Sequence, residues 1–119
     1  MAFLDEVEPS LDALEQKLGY AFKDRVWLQT AVTAPSYRTD HPGPEVRDNQ
    51  RLEFLGDAVF GLLCAQWLFA RYADADEGML TVRGSLLASG RALADMARRL
   101  GVGDWLRLGR GDAAAGGRE

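Results

Sequence analysis

The sequence predicts an all-α chain, and three observations carry that prediction. Asn49 to Arg71 is a long apolar run without proline, with Leu52, Leu55, Val59, Leu62 and Leu63 at helical spacing. Shorter apolar runs on either side keep the same three-to-four-residue spacing. Between them stand serine, aspartate, glycine and proline, the residues that start and stop helices.

Taken in order, Leu11, Leu14 and Leu18 follow Pro9 and Ser10 at i, i+3 and i+7. Ser10 is an N-cap and Gly19 a C-terminal stop. Tyr20 and Phe22 fall on a short link and are expected to pack on the core. Asp24 caps a second helix whose apolar side is Val26, Trp27, Leu28, Ala31 and Val32, and Trp27 is expected in the core. Residues 34–48, with Pro35, Pro42, Gly43 and Pro44, read as a loop. The lone histidine, His41, reads there as a solvent-exposed loop residue rather than a catalytic base. Asp48 or Asn49 can cap the central helix, which at 1.5 Å per residue spans roughly 30 Å. An acidic turn, 73–76, leads to a helix from Glu77 carrying Met79, Leu80, Val82, Leu86 and Leu87, with Gly84 allowing close contact. Another follows with Leu93, Met96, Ala97 and Leu100, ending at Gly101. Asp104 to Leu106 reads as a short helical turn, and the glycine- and alanine-rich stretch from Gly109 as a link.

Two carboxylates stand out in the central helix. Glu53 and Asp57 are four residues apart and share one face, close to core positions. Like charges at that spacing repel, so the pair is stable if a cation or basic group lies between them. The other reading is an amphipathic helix whose acids are exposed or salt-bridged. Gly56 and Gly61 cost up to about 1 kcal/mol each relative to alanine, which points to a close approach by something else.

Composition sets bounds. The chain has 119 residues, 47% hydrophobic and 27% charged, which suits one domain with one modest core. The net charge of -4 gives no general attraction to nucleic acid, but fourteen basic residues, mostly arginine, remain for local contacts. Cys64 is the only cysteine, so no internal disulfide forms, and a buried thiol in a reducing compartment is expected. Early acids and the lack of an apolar leader argue against secretion. The apolar stretch from Asp57 to Phe69 reads as too short to cross a membrane. There is no zinc-ligand spacing, no serine–histidine–acid set and no convincing phosphate-binding loop.

The residue strings add a resemblance. Asn49-Gln50-Arg51-Leu52-Glu53-Phe54-Leu55-Gly56-Asp57-Ala58 resembles the signature of the ribonuclease III catalytic domain. Leu18-Gly19-Tyr20 with Phe22, and Thr33 with Pro35-Ser36-Tyr37, resemble its opening helices. Glu77-Gly78, Leu80-Thr81 and Arg83 resemble its next motif, and Leu93-Ala94, Leu108-Gly109 and Gly116-Gly117-Arg118 its later ones. The resemblance implies an all-helical, homodimeric, cytoplasmic endonuclease. It would cut double-stranded RNA to 5′-phosphate and 3′-hydroxyl ends with Mg2+, for which Mn2+ can substitute. It implies Glu53 and Asp57 as metal ligands, Glu77 as a third catalytic acid, and a dimer contact at Phe54 beside Gln50. Arg51, Arg83, Arg98, Arg99 and Arg107 are the candidate phosphate contacts. Glu77 also reads as an acid favourable at a helix N-terminus, and Arg98-Arg99 as a solvated helix end.

There are departures. Ala34 stands where the family often has a histidine, so His41 does not take that role. Gln50 stands where many members have an acid. The family completes its metal cluster with an aspartate and, three residues later, a glutamate, on a helix after the glycine-rich link. No such pair occurs before Glu119. The expectation is therefore a partial catalytic domain over 1–119, without the double-stranded-RNA-binding domain and poorly active by itself. The competing expectation is a noncatalytic RNA-binding or ribosome-associated domain on the same helical scaffold.

Overall fold

The computed structural model describes residues 9–118, so the early acids and Glu119 lie outside the described residues. The fold is all-α: seven α-helices and one 3-10 turn stand among the described residues, with no strand. The chain divides into two compact units, one formed by residues up to Asn49 and from Leu100 onward, the other by Gln50–Arg99.

In the first unit, α1 (Leu11–Leu18) starts where Ser10 Oγ accepts the Ala13 N–H at 3.3 Å. It stops at Gly19, whose φ of 68° is the left-handed conformation that glycine adopts without steric cost. α2 (Arg25–Ala31) starts where Asp24 accepts the Val26 N–H at 3.0 Å. Leu14, Leu28 and Val32 form the buried core, with Leu11, Phe22, Val102 and Trp105 packed against it. Trp105 belongs to the 3-10 turn Val102–Trp105, and its indole N–H donates to Ser10 O at 3.0 Å. Glu15 is buried. It accepts the Phe22 N–H at 2.5 Å and the Arg25 Nε–H at 2.9 Å, fixing the link between α1 and α2.

Four expectations need correction here. Trp27 is 55% exposed, because the inward stripe of this short helix passes through Leu28 and on to Val32. Tyr20 is exposed too and meets Phe22 edge-on at 4.9 Å. Residues 34–48 are not all loop: α3 spans Pro35–Asp40 with Pro35 in its first turn, where a missing N–H costs nothing. The segment after Gly109 is likewise not only a link: α7 spans Arg110–Ala114.

α3 and α7 pack together. Asp40 accepts the Arg110 N–H at 2.8 Å and Ser36 Oγ accepts the Gly109 N–H at 2.9 Å. A Cβ on Gly109 would lie 2.6 Å from Ser36 O, so only glycine permits this approach. Beside it, Arg107 N–H donates to Val32 O at 2.7 Å and Ala34 N–H to Arg107 O at 2.9 Å, an isolated bridge that ties the two ends of the unit.

In the second unit, α4 (Gln50–Arg71) packs on α5 (Glu77–Leu87), and α6 (Gly90–Leu100) follows. Asp76 caps α5 by accepting the Met79 N–H at 2.8 Å. Ser89 accepts the Ala92 N–H at 3.2 Å at the start of α6. Cys64 and Leu68 are the buried residues of α4, and the thiol is free and buried as expected. A Cβ on Gly84 would sit 3.7 Å from Leu68, consistent with the close contact read from sequence. Most of the rest of α4 is open. Leu55, Val59, Leu62, Leu63, Trp67 and Phe69 are all exposed, so the helix is not a buried core element within this chain. It is also long and apolar enough, by length and composition alone, to cross a membrane, unlike the shorter stretch read from Asp57 to Phe69.

Candidate active site

α4 positions both acids. A 3.6-residue turn sets side chains four apart on one face, and Glu53 and Asp57 lie in the first two turns. Glu53 also stands in the first turn, where the helix dipole favours a carboxylate. Both acids are exposed, contrary to placement near the core, and neither has an ion pair or hydrogen bond among the described residues. A Cβ on Gly56, between them, would meet nothing within 4 Å, and the same holds at Gly61. Nothing among the described residues makes the close approach that the glycines suggested.

Glu77 opens α5 and lines a groove with Gly61, Cys64, Ala65, Leu68 and Leu80. That places it beside the part of α4 one turn and more past Asp57. No group of three or more metal-ligating side chains forms among the described residues, so Glu77 does not join Glu53 and Asp57 in one cluster. The pair offers hard oxygen donors with no ion-pair partner among the described residues. This fits part of a divalent-cation ligand set rather than a complete one.

The five candidate arginines differ. Arg51 and Arg99 are exposed on α4 and α6. Arg98 is exposed and pairs with Asp95 at 2.9 Å, one turn earlier on α6. Arg83 is exposed on α5 and lies over the Tyr72 ring, 4.2 Å from its centre. Arg107 is drawn inward. Its guanidinium lies over the Tyr37 ring at 4.1 Å, donates to the Tyr37 hydroxyl at 2.6 Å, and keeps a buried Nε–H with no acceptor among the described residues. His41 has a partner that its sequence neighbours did not reveal: its ring stacks on Tyr37 with centres 4.0 Å apart. Gln50 opens α4 and Phe54, one turn on, is 83% exposed. The aromatic partners Tyr37 and Tyr72 escaped sequence reading because each meets its arginine through the fold rather than through a spacing rule.

Comparison with known proteins gives a consistent picture. A sequence profile described as ribonuclease-III-like matches residues 24–119. The chain is 47% identical over 106 residues to ribonuclease 3 of Heliobacterium modesticaldum, spanning 89% of this chain and 45% of that protein. It is 45% identical over 114 residues to ribonuclease 3 of Geobacter metallireducens, spanning 95% of this chain and 46% of that protein. The chain thus spans less than half the length of these relatives. The fold is similar to the solved nuclease domain of ribonuclease III from Campylobacter jejuni, with a TM-score of 0.82 and 34% identity over 92% of this chain and 73% of that one. That structure is described as having flexibility in a region involved in dimer formation.

Proposed function

Since this chain belongs to the ribonuclease-III-like family, we propose that residues 1–119 are part of the catalytic domain of an endoribonuclease. The enzyme hydrolyses phosphodiester bonds of double-stranded RNA, leaving 5′-phosphate and 3′-hydroxyl ends. The observation that carries this reading is an unpartnered acid pair, Glu53 and Asp57, exposed on one face of α4 within that family's fold.

Glu53 and Asp57 would hold Mg2+, or Mn2+ in its place, through their carboxylate oxygens, and Glu77, which opens α5 apart from that pair, would act as a third acid. When bound, the ion supplies Lewis-acid polarisation of the phosphoryl group and activation of water. Arg51, Arg98 and Arg99 offer planar donor forks for RNA phosphates, and Arg83 adds donors from its seat on Tyr72, whereas Arg107, also a candidate from sequence, is drawn inward onto Tyr37. These contacts position a duplex rather than read bases, because the A-form major groove is too narrow for side chains. Phe54, beside Gln50, supplies the aromatic centre of a homodimer contact. The family and the charged first turns of α4 support a cytoplasmic protein that does not enter a membrane.

The test is magnesium-dependent cleavage of a long RNA duplex, by this chain alone and by this chain extended with the remainder of a full-length relative. Cleavage is expected to be very poor for the chain alone and efficient for the extended protein. An extended protein that binds duplex without cutting it, both acids intact, would favour the noncatalytic RNA-binding reading instead.

A further inference from the structure

Tyr72 follows the last residue of α4, and its N–H still donates to Leu68 O at 3.0 Å, so the ring is held at the helix end. Trp67 meets that ring edge-on, with centres 6.2 Å apart and planes at 82°. Two guanidinium groups lie against the same ring: Arg83 from α5 at 4.2 Å and Arg71 from α4 at 5.4 Å. Both fall within the reach of about 6 Å at which a ring holds a cation. Neither arginine has a carboxylate or hydrogen-bond partner among the described residues. Both are exposed.

Two like charges gathered on one ring repel, and neither guanidinium has a hydrogen-bond acceptor among the described residues. The acceptor that suits guanidinium donors carries several oxygens and negative charge. A phosphodiester does so, and arginine forks match its geometry. Asp76 caps α5 through its side chain and forms no ion pair with either arginine among the described residues. From these contacts we infer that Arg71, Tyr72 and Arg83 form a phosphate clamp that holds the backbone of an RNA duplex. The clamp rests on the double-stranded-RNA reading above and adds to it a ring-seated arginine pair, in which Tyr72 orients both guanidiniums without touching RNA.

The test measures binding of a blunt RNA duplex to the 119-residue chain between about 50 and 200 mM salt. The slope of log affinity against log salt counts the phosphates neutralised. Arg71→Gln and Arg83→Gln should each lower that slope by about one, with roughly ten-fold weaker binding at low salt and unchanged helical circular dichroism. The double variant Arg71→Lys/Arg83→Lys should keep the slope while binding less tightly, because charge remains and the fork is lost. Tyr72→Leu should weaken binding with both arginines in place. If the parent chain binds duplex and both glutamine variants keep its slope, the clamp is wrong and the RNA reading stands. If the parent binds no duplex, both fall together. Binding of a polyglutamate peptide as tight as that of the duplex, and lost in the same variants, would assign the clamp to an acidic protein partner and overturn this inference.

Discussion

Glu53 and Asp57 contribute nothing to packing. They are exposed, and no described residue pairs with either. Alanine also has a better helix propensity than aspartate or glutamate. Glu53→Ala and Asp57→Ala should therefore leave the free energy of urea unfolding within about 0.5 kcal/mol of the parent. In the extended protein they should lower duplex cleavage by about a hundred-fold or more, since a metal site loses a ligand. Equal loss of stability and cleavage would mean that the acids act structurally. Glu15 makes the contrast. It is buried, with its oxygens held by the Phe22 N–H and by Arg25. Glu15→Ala leaves that N–H without its acceptor and Arg25 without its better-shielded partner. It should cost about 2 kcal/mol in urea unfolding. Acid identity alone does not separate the two roles; burial and partners do.

At the scale of elements, local signals were legible and distant ones were not. Ser10, Asp24 and Gly19 act within a few residues of their own positions, and each does what its sequence context announces. α3 was missed because Pro35 reads as a breaker when counted with Pro42 and Pro44, yet at a first turn it favours the helix. α7 was missed because the groups that fix its start, Ser36 and Asp40, lie about seventy residues earlier in the chain. The acid pair was legible as a pair, but its exposure was not, since periodicity marks an apolar face without saying what covers it. The α7 account makes its own prediction. Asp40→Ala removes the acceptor of the Arg110 N–H and should destabilise α7 by about 1 kcal/mol. Amide exchange in 110–114 should then quicken while α1 and α2 keep their protection. Uniform acceleration across the chain would show that α3–α7 docking is part of the main cooperative unit.

For the molecule as a whole, the two units are stabilised unequally. The first encloses Leu14, Leu28 and Val32 under Phe22 and Trp105. The second buries Cys64 and Leu68 but leaves Phe54, Leu55, Leu62, Leu63, Phe69, Val82 and Leu86 in water. So much exposed apolar surface marks an interaction face. Phe54, 83% exposed and one turn from Gln50, is the aromatic best placed to anchor a two-fold contact on the proposed dimer face. A two-fold axis presents each such ring twice. Sedimentation should find a dimer at low micromolar concentration. Phe54→Ala should weaken it by at least about thirty-fold, the scale of a central aromatic anchor. Hydrogen exchange supplies the companion measurement. Amides of α4 should exchange more slowly as concentration carries the parent into the dimer, while those of α1 and α2 should not change. The Phe54→Ala protein should lose that concentration dependence. A Phe54→Ala chain that stays dimeric, with α4 still protected, would move the contact to another part of the exposed face.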